Sequence, residues 1–268
     1  MLSDLADSRV RWLANMARQI ELVKNLATRD VEVRYKHSIL GLYWAIINPL
    51  VTAAVFGFVF GVIFHATSKP IPYAVFLISG ITFWNLFANG VISATTSVTG
   101  NAALLAKVYF PRTVLPTAAV FARAIDMGFS VLVLAIVTAA YHVPVHFSMV
   151  LVLPILIIEF MFTLGFGFIT AALNVLYRDV AQLVVLLLMV WMYLTPVMYA
   201  VNTLPHVMRS MILFDPMGAI IQGLRDAIYL GYVSNPLSLV VAAGWALATL
   251  VFGMWIFSKI EPLFAEVM

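Results

Sequence analysis

Three ionisable side chains lie inside long apolar stretches of this sequence: Arg123, Asp126 and Glu159. If such a stretch crosses a membrane, each charge costs about 2.5 to 3.5 kcal/mol, so each requires a role. Arg123 and Asp126 are three residues apart, a spacing that lets them pair on one helix. Glu159 has no partner nearby in the sequence. It could face an aqueous substrate path, accept a hydrogen bond from a neighbouring helix, or be buried in its protonated form.

The other groups with recognisable spacing do not form a catalytic or metal site. His142 and His146 have the i, i+4 spacing of helical zinc ligands, but Pro144 separates them and no glutamate follows His142. The chain has no phosphate-binding loop, no Gly-x-Gly-x-x-Gly turn and no carboxylate pair placed for glycosyl or phosphoryl transfer. We therefore predict no catalytic residues and no nucleotide, cofactor or metal bound by this chain.

The composition places these groups in a membrane protein. Of the 268 residues, 63% are hydrophobic and only 10% are charged, and the mean hydropathy is +1.03. A soluble domain carries about 25% charged residues, so this chain must be solvated mostly by lipid. The net charge of +3 is too small to indicate a nucleic-acid partner. Cysteine is absent, which excludes disulfide and thiolate chemistry.

Crossing a bilayer requires about 20 apolar residues in a helix. Six stretches of this kind predict an all-α polytopic membrane protein with six transmembrane helices. Their predicted bounds are Leu42 to Phe64, Tyr73 to Ser93, Thr117 to Tyr141, Met149 to Leu173, Val180 to Val201 and Leu237 to Phe257.

The N-terminal segment, residues 1–37, holds seven basic and five acidic residues and is predicted to stay outside the hydrocarbon. On a helix its apolar residues share one side and its polar residues the other. This pattern predicts an amphipathic interface helix on the membrane surface, or alternatively a helix packed on a soluble partner. The transmembrane domain then comprises residues 38–268.

The basic residues outside the predicted spans are unevenly distributed. With the N-terminus inside, eleven lie on the cytoplasmic side and only Lys69, Arg209 and Arg225 lie outside. Because basic residues favour the cytoplasmic side, both termini are predicted to be cytoplasmic.

The outer connection before the last span, residues 202–236, contains apolar pieces too short to cross a membrane. They are interrupted by Asp215-Pro216, Gly218 and Gly223. Short re-entrant helices that dip into the outer leaflet fit this pattern. A loop on the outer surface fits it equally well.

Aromatic residues cluster near the predicted span ends, where an interfacial belt is the ordinary explanation. Three others fall within a span, and aromatic faces can bind the apolar faces of sugar rings. Either a sugar-contacting path or ordinary packing explains them. The candidate path residues, together with Glu159, are Phe83, Trp84, Phe87, Tyr193 and Tyr199.

Five sequence segments, in order, resemble those of the membrane subunits of ABC transporters that export O-antigen, teichoic acid and capsule polysaccharides. The similarity covers most of the chain and is closest to O-antigen export permeases. One departure is Asp215, where relatives often have asparagine before the proline. The segments are Arg34 to Trp44 with Asn48-Pro49, Lys107 to Arg112, Leu173 to Asp179, Thr195 to Tyr199, and Asp215 to Met217.

The resemblance implies a homodimer that forms a channel, driven by two separate cytoplasmic ATPase subunits that bind ATP and magnesium. It further implies that the inside loops transmit ATPase closure to the channel. Orientation by positive charge explains the same basic residues without any partner. The coupling candidates are Lys107, Tyr109, Pro111, Arg112, Tyr177, Arg178 and Asp179.

The resemblance also implies a substrate and a gate. The substrate would be a polysaccharide linked to undecaprenyl pyrophosphate, exported across the bacterial inner membrane. Arg34 and Lys36 could attract its pyrophosphate at the inner interface. The outer stretch would close the channel, with gate candidates Asp215, Pro216, Arg225 and Asp226.

Two other functions remain open at this stage. A drug or lipid exporter could share this architecture, and an integral-membrane transferase could act on lipid-linked sugars. The first would leave polysaccharide export intact when the gene is lost, and the second would turn over substrate without an ATPase.

Overall fold

The computed structural model describes residues 2–36, 43–63, 65, 68, 70–105, 110–201 and 214–264, and the regular structure within these ranges is entirely helical. The all-α prediction is therefore confirmed. The helices are α1 Leu2–Lys36, α2 Trp44–Phe56, α3 Tyr73–Gly100, α4 Ala102–Leu105, α5 Val114–Ala140, α6 Val152–Leu176, α7 Val180–Leu194, α8 Pro216–Arg225 and α9 Pro236–Ile260. Helix α2 continues as a π-helical segment, Gly57–Ile63, and α8 continues as another, Asp226–Leu230.

Five helical segments in the described part of the chain are long and apolar enough to cross a membrane, and each corresponds to a predicted span. The remaining predicted span, Val180 to Val201, is longer than the helix that the structure shows there. Helix α7 has 15 residues and ends at Leu194, followed by an extended Thr195. Pro196 causes this ending, because a proline disfavours helical conformation in the residue before it. The five segments are Ile46–Ile63, Tyr73–Gly100, Val114–Ala140, Val152–Leu176 and Pro236–Leu263.

Helix α3 is the centre of the bundle and packs against α5, α6, α7 and α8. Helices α6 and α9 approach so closely that a Cβ atom on Gly253 would lie 2.3 Å from the carbonyl oxygen of Gly165. Small residues permit such contacts between helices in lipid. Helix α1 lies against α5, with Ala27 buried beside Ala118 and Ala122. The predicted location of α1 on the membrane surface stays a prediction.

The connections group at two ends of the bundle. At the Gly100 end, where α3, α6 and α9 finish, the Asn174 side chain contacts Thr99. At the Tyr73 end, where α3, α6 and α9 begin, the Tyr73 hydroxyl donates to the Met198 carbonyl oxygen at 2.8 Å. Residues 142–148 and the described part of 202–236 also meet there, since Ser148 donates to the Ala227 carbonyl oxygen. The loops that the charge pattern assigned to opposite sides thus lie at opposite ends.

Candidate functional site

The turn between α6 and α7 is anchored to the end of α3 by one asparagine. The Asn174 amide nitrogen donates to Thr99 Oγ1 at 3.3 Å, and its Oδ1 accepts from the Ala181 backbone N–H at 3.1 Å. Asn174 itself is buried. A displacement of the turn would therefore be transmitted directly to α3, the central helix.

The predicted coupling residues Tyr177, Arg178 and Asp179 are exposed in this turn, with Tyr177 at 66%. In the described part of the chain, the Arg178 and Asp179 side chains have no hydrogen bond or ion pair. A cavity of about 590 Å³ opens beside them, lined in part by Gly100, Ala102 and Arg178. Both charges of this turn are accessible at the surface of the chain.

The connection that leads into α5 is tied to the C-terminal segment. The Arg112 backbone N–H donates to Glu261 Oε1 at 3.3 Å, and its guanidinium donates to the Glu261 carbonyl oxygen at 2.5 Å. The guanidinium also lies 5.5 Å from the centre of the Phe264 ring. Pro111 is exposed. The coupling candidates Lys107 and Tyr109 lie outside the described residues.

The mid-span aromatic candidates are packed in the core. Phe83, Trp84 and Phe87 are 2%, 3% and 0% exposed. Phe87 stacks on Phe162 with ring centres 5.3 Å apart, and it meets Trp191 edge-on at the same distance. Contact with a sugar requires an accessible ring, so within one chain the burial favours the packing alternative. Trp191 was not among the predicted residues, and its indole N–H donates to Asp215 Oδ1 at 3.1 Å.

The other path candidates have different surroundings. Tyr193 is 50% exposed on α7. The Tyr199 hydroxyl donates to the Leu194 carbonyl oxygen at 2.6 Å, which closes the end of α7. Glu159 is completely buried, and within the described residues neither of its carboxyl oxygens has a hydrogen-bond partner. Of these three residues, Tyr193 is the most accessible to a substrate.

The gate candidate Arg225 is a buried clamp at the Tyr73 end. It is 2% exposed and donates to the carbonyl oxygens of Pro196, Phe76 and Val197 at 2.9, 2.9 and 2.7 Å. Its Nε also donates to Ser79 Oγ at 3.2 Å. One side chain thus joins α8, α3 and the turn after α7.

Both carboxylate oxygens of the neighbouring residue, Asp226, also accept hydrogen bonds. One carboxylate oxygen accepts from the Gln222 side chain at 2.8 Å, and the other accepts from the Ser234 backbone N–H at 2.8 Å and from the Ser234 hydroxyl. Pro216 is the first residue of α8, and Asp215 precedes it. A cavity of about 500 Å³ borders Arg225 and Asp226. The gate candidates therefore form the scaffold of α8 beside that cavity.

A second ionic cluster joins α1 to α5. Asp126 accepts from Arg34, from the Tyr35 hydroxyl at 2.8 Å and from Arg123 at 3.2 Å, which confirms the predicted pairing of Arg123 with Asp126. Burial, followed by the hydrogen bond to Asp126, raises the pKa of Tyr35. Arg123 also donates to Ser93 Oγ on α3 at 2.7 Å. Lys36 is exposed at the end of α1.

Span-length apolar helices around a buried core, with charged turns at one end, define a multi-pass membrane protein. The ABC-2 type transporter family matches residues 21–229, and the chain belongs to that family.

Similar proteins extend the comparison over nearly the whole chain. The O-antigen export system permease protein RfbA of Klebsiella pneumoniae is 30% identical over 97% of this chain and 99% of its own length. Its namesake in Myxococcus xanthus is 27% identical over 96% of this chain and 99% of its own length. The polysialic acid transport protein KpsM of Escherichia coli is 25% identical over 89% of this chain and 93% of its own length.

Proposed function

We propose that this chain is the channel-forming membrane subunit of an ATP-driven exporter that moves lipid-linked polysaccharide, such as O-antigen on undecaprenyl pyrophosphate, across the bacterial inner membrane. The observation that carries the proposal is the similarity to O-antigen export permeases, which extends over 97% of this chain. The chain performs no covalent chemistry in this proposal.

Two copies of the chain would form the channel between them. The aromatic core of one chain is closed around Phe87 and Phe162, which supports a path between subunits. Helix α7 carries a continuous exposed apolar face, on which Tyr193 is the best supported of the path candidates. In a membrane such a face must meet lipid or another protein. The exposed apolar residues of α7 are Leu183, Val185, Leu186, Leu187, Met189, Val190 and Leu194.

Six crossings fit this function better than five. Helix α7 spans about 22 Å at 1.5 Å per residue, and the turn from Thr195 onward, which is bonded to α3 and α8, would complete its crossing. Helix α8 and its π-helical continuation would be the re-entrant segment on the periplasmic side. With six crossings both termini are cytoplasmic, in agreement with the basic residues of α1.

Energy would come from two separate ATPase subunits that bind ATP and magnesium. The exposed turn Tyr177, Arg178 and Asp179 would receive them, because its charges lack partners in the described part of the chain and Asn174 ties it to α3. Pro111 and Arg112 would contribute from the neighbouring connection. Lys107 and Tyr109 belong to the same proposal by sequence.

Deletion of the gene in a bacterium that makes surface polysaccharide tests this function. We expect the lipid-linked polymer to accumulate inside the cell and to disappear from the surface, and the intact gene to restore it. A catalytically inactive partner ATPase serves as the control and should give the same result. Normal surface polysaccharide with altered drug sensitivity would contradict the proposal and indicate a drug exporter.

A further inference from the structure

One face of the central helix α3 is polar. Thr82, Asn85, Asn89 and Ser93 recur every three or four residues, the spacing of a single helix face. The remainder of α3 is mostly buried among apolar side chains. The sequence alone reveals this polar face, and the fold shows which residues lie opposite it.

Three residues of this face, Thr82, Asn85 and Asn89, line a pocket of about 300 Å³ between four helices. This volume suits a small head group or a single sugar. The pocket is also polar on its other sides, where α1, α2 and α5 contribute Arg34, Tyr35, Asn48, Arg123 and Asp126.

The charges that line the pocket do not balance. Among its described lining residues, the guanidinium groups of Arg34 and Arg123 share one carboxylate, that of Asp126. One positive charge therefore remains without a counter-charge there. Such a charge in a membrane-embedded pocket attracts an anion.

Several polar groups of the pocket also lack partners. The Thr82 hydroxyl is buried, and within the described residues it has no hydrogen bond. The side-chain amides of Asn48, Asn85 and Asn89 make none there either. By contrast, Asn101, Asn174 and Asn235 are all hydrogen-bonded through their side chains. Because buried polar groups normally have partners, the unpaired Thr82 hydroxyl indicates a polar ligand in this pocket, and the unpaired amides that open onto the pocket are available to bind it.

The pocket lies within the bilayer, beneath the lipid head groups. Arg123 is nine residues into α5, about 14 Å from its start at a rise of 1.5 Å per residue. The whole helix, at about 40 Å, is longer than the hydrocarbon core of about 30 Å. The ligand must therefore reach the pocket from the membrane rather than from bulk water.

We propose that this pocket binds the phosphate-bearing head group of a lipid, with Arg34 and Arg123 facing the phosphate and the three asparagine amides binding sugar hydroxyls. Arginine supplies the fixed donor geometry that phosphate binding favours. The inference rests on the proposed function, since it places the carrier end of the exported lipid beside α1 and α3.

The test measures lipid binding to the complete transporter in nanodiscs with two substitutions of Asn89, which is exposed and therefore tolerant of change. Asn89→Asp should neutralise the surplus positive charge and weaken the binding of undecaprenyl diphosphate about tenfold, comparable to losing one hydrogen bond to a charged group. Asn89→Leu should weaken the binding of a glycosylated diphosphate lipid more than the binding of the unglycosylated one. Thr96→Val is the matched control: it lies farther along the same face, outside this pocket, and its hydroxyl bonds only to its own helix.

A second probe, phosphatidylglycerol, separates the two sources of phosphate. Weaker binding of the diphosphate lipid alone assigns the pocket to the carrier, and weaker binding of both lipids assigns it to phospholipid in general. Either result supports the site. Unchanged binding of both lipids in Asn89→Asp overturns it, even if the deletion strain still accumulates polymer and the exporter function stands.

Discussion

Of the three Arg-Asp dipeptides in the chain, two lie at opposite ends of the bundle, and the fold treats these two in opposite ways. Arg178 and Asp179 are exposed at the Gly100 end and unpaired in the part of the chain that the structure describes. Arg225 and Asp226 are 2% and 1% exposed at the Tyr73 end, and their hydrogen bonds join three parts of the fold. The same two residue types are thus accessible at one end and hold the chain together at the other.

The difference in burial separates function from stability. A buried charge is tolerated only when its donors or acceptors are satisfied, so its loss should unfold the protein locally. An exposed and unpaired charge contributes little to stability, so its loss should act only through a partner. Substitutions at the two dipeptides can test this contrast.

The largest effect is expected for Arg225→Met. The substitution would leave the carbonyl oxygens of Phe76, Pro196 and Val197 without donors, and we expect it to lower the free energy of unfolding by about 3 to 5 kcal/mol. Denaturant unfolding of the purified protein in detergent measures the change. Arg178→Met is the matched control and should unfold like the native chain. Equal stability of the two variants would show that the buried and the exposed arginine do not differ in their contribution to folding.

A smaller loss is expected for Asp226→Ala. The Ser234 backbone N–H and the Gln222 amide would lose their acceptor, at a cost of about 1 to 3 kcal/mol. The same unfolding measurement applies, with Asp179→Ala as the control. If Asp179→Ala were the more destabilising of the two, the distinction between the ends would be wrong.

Arg178→Ala and Asp179→Ala should change the free energy of unfolding by no more than about 0.5 kcal/mol. We expect them instead to uncouple ATP hydrolysis from export, because the turn would no longer bind the ATPase correctly. Surface polysaccharide in cells and ATP hydrolysis by the reconstituted complex report this effect. Normal export in both variants would remove the two residues from the coupling site.

The smallest effect on the protein is expected from two cysteine substitutions, which test whether the two ends of the bundle lie on opposite sides of the membrane. Tyr177→Cys and Tyr232→Cys replace exposed side chains at opposite ends, in a chain that has no cysteine of its own. Tyr232→Cys should react with an impermeant thiol reagent in intact cells, and Tyr177→Cys only after the cells are opened. The reverse pattern would invert the proposed topology, while labelling of both residues from one side would refute the separation of the two ends.

Much of the fold could be predicted from local sequence. Apolar stretches longer than a bilayer is thick located five of the helices, and the placement of basic residues sorted the connections to opposite ends. Pro196 already signalled the early end of α7, although hydropathy alone extended the predicted span to Val201. The pairing of Arg123 with Asp126 was also local, since three residues separate them on one helix.

The amino-acid sequence by itself determined that this protein is an all-α chain solvated by lipid, because hydropathy and helical periodicity are properties of neighbouring residues. Only the tertiary structure decided which charges are buried, which aromatic rings are closed into the core and which asparagines lack partners. Arg34 meets Asp126 across 92 positions of sequence, and Arg225 meets Phe76 across 149. Contacts at such separations arise from helix packing, so identical dipeptides acquire different roles from the surfaces that cover them.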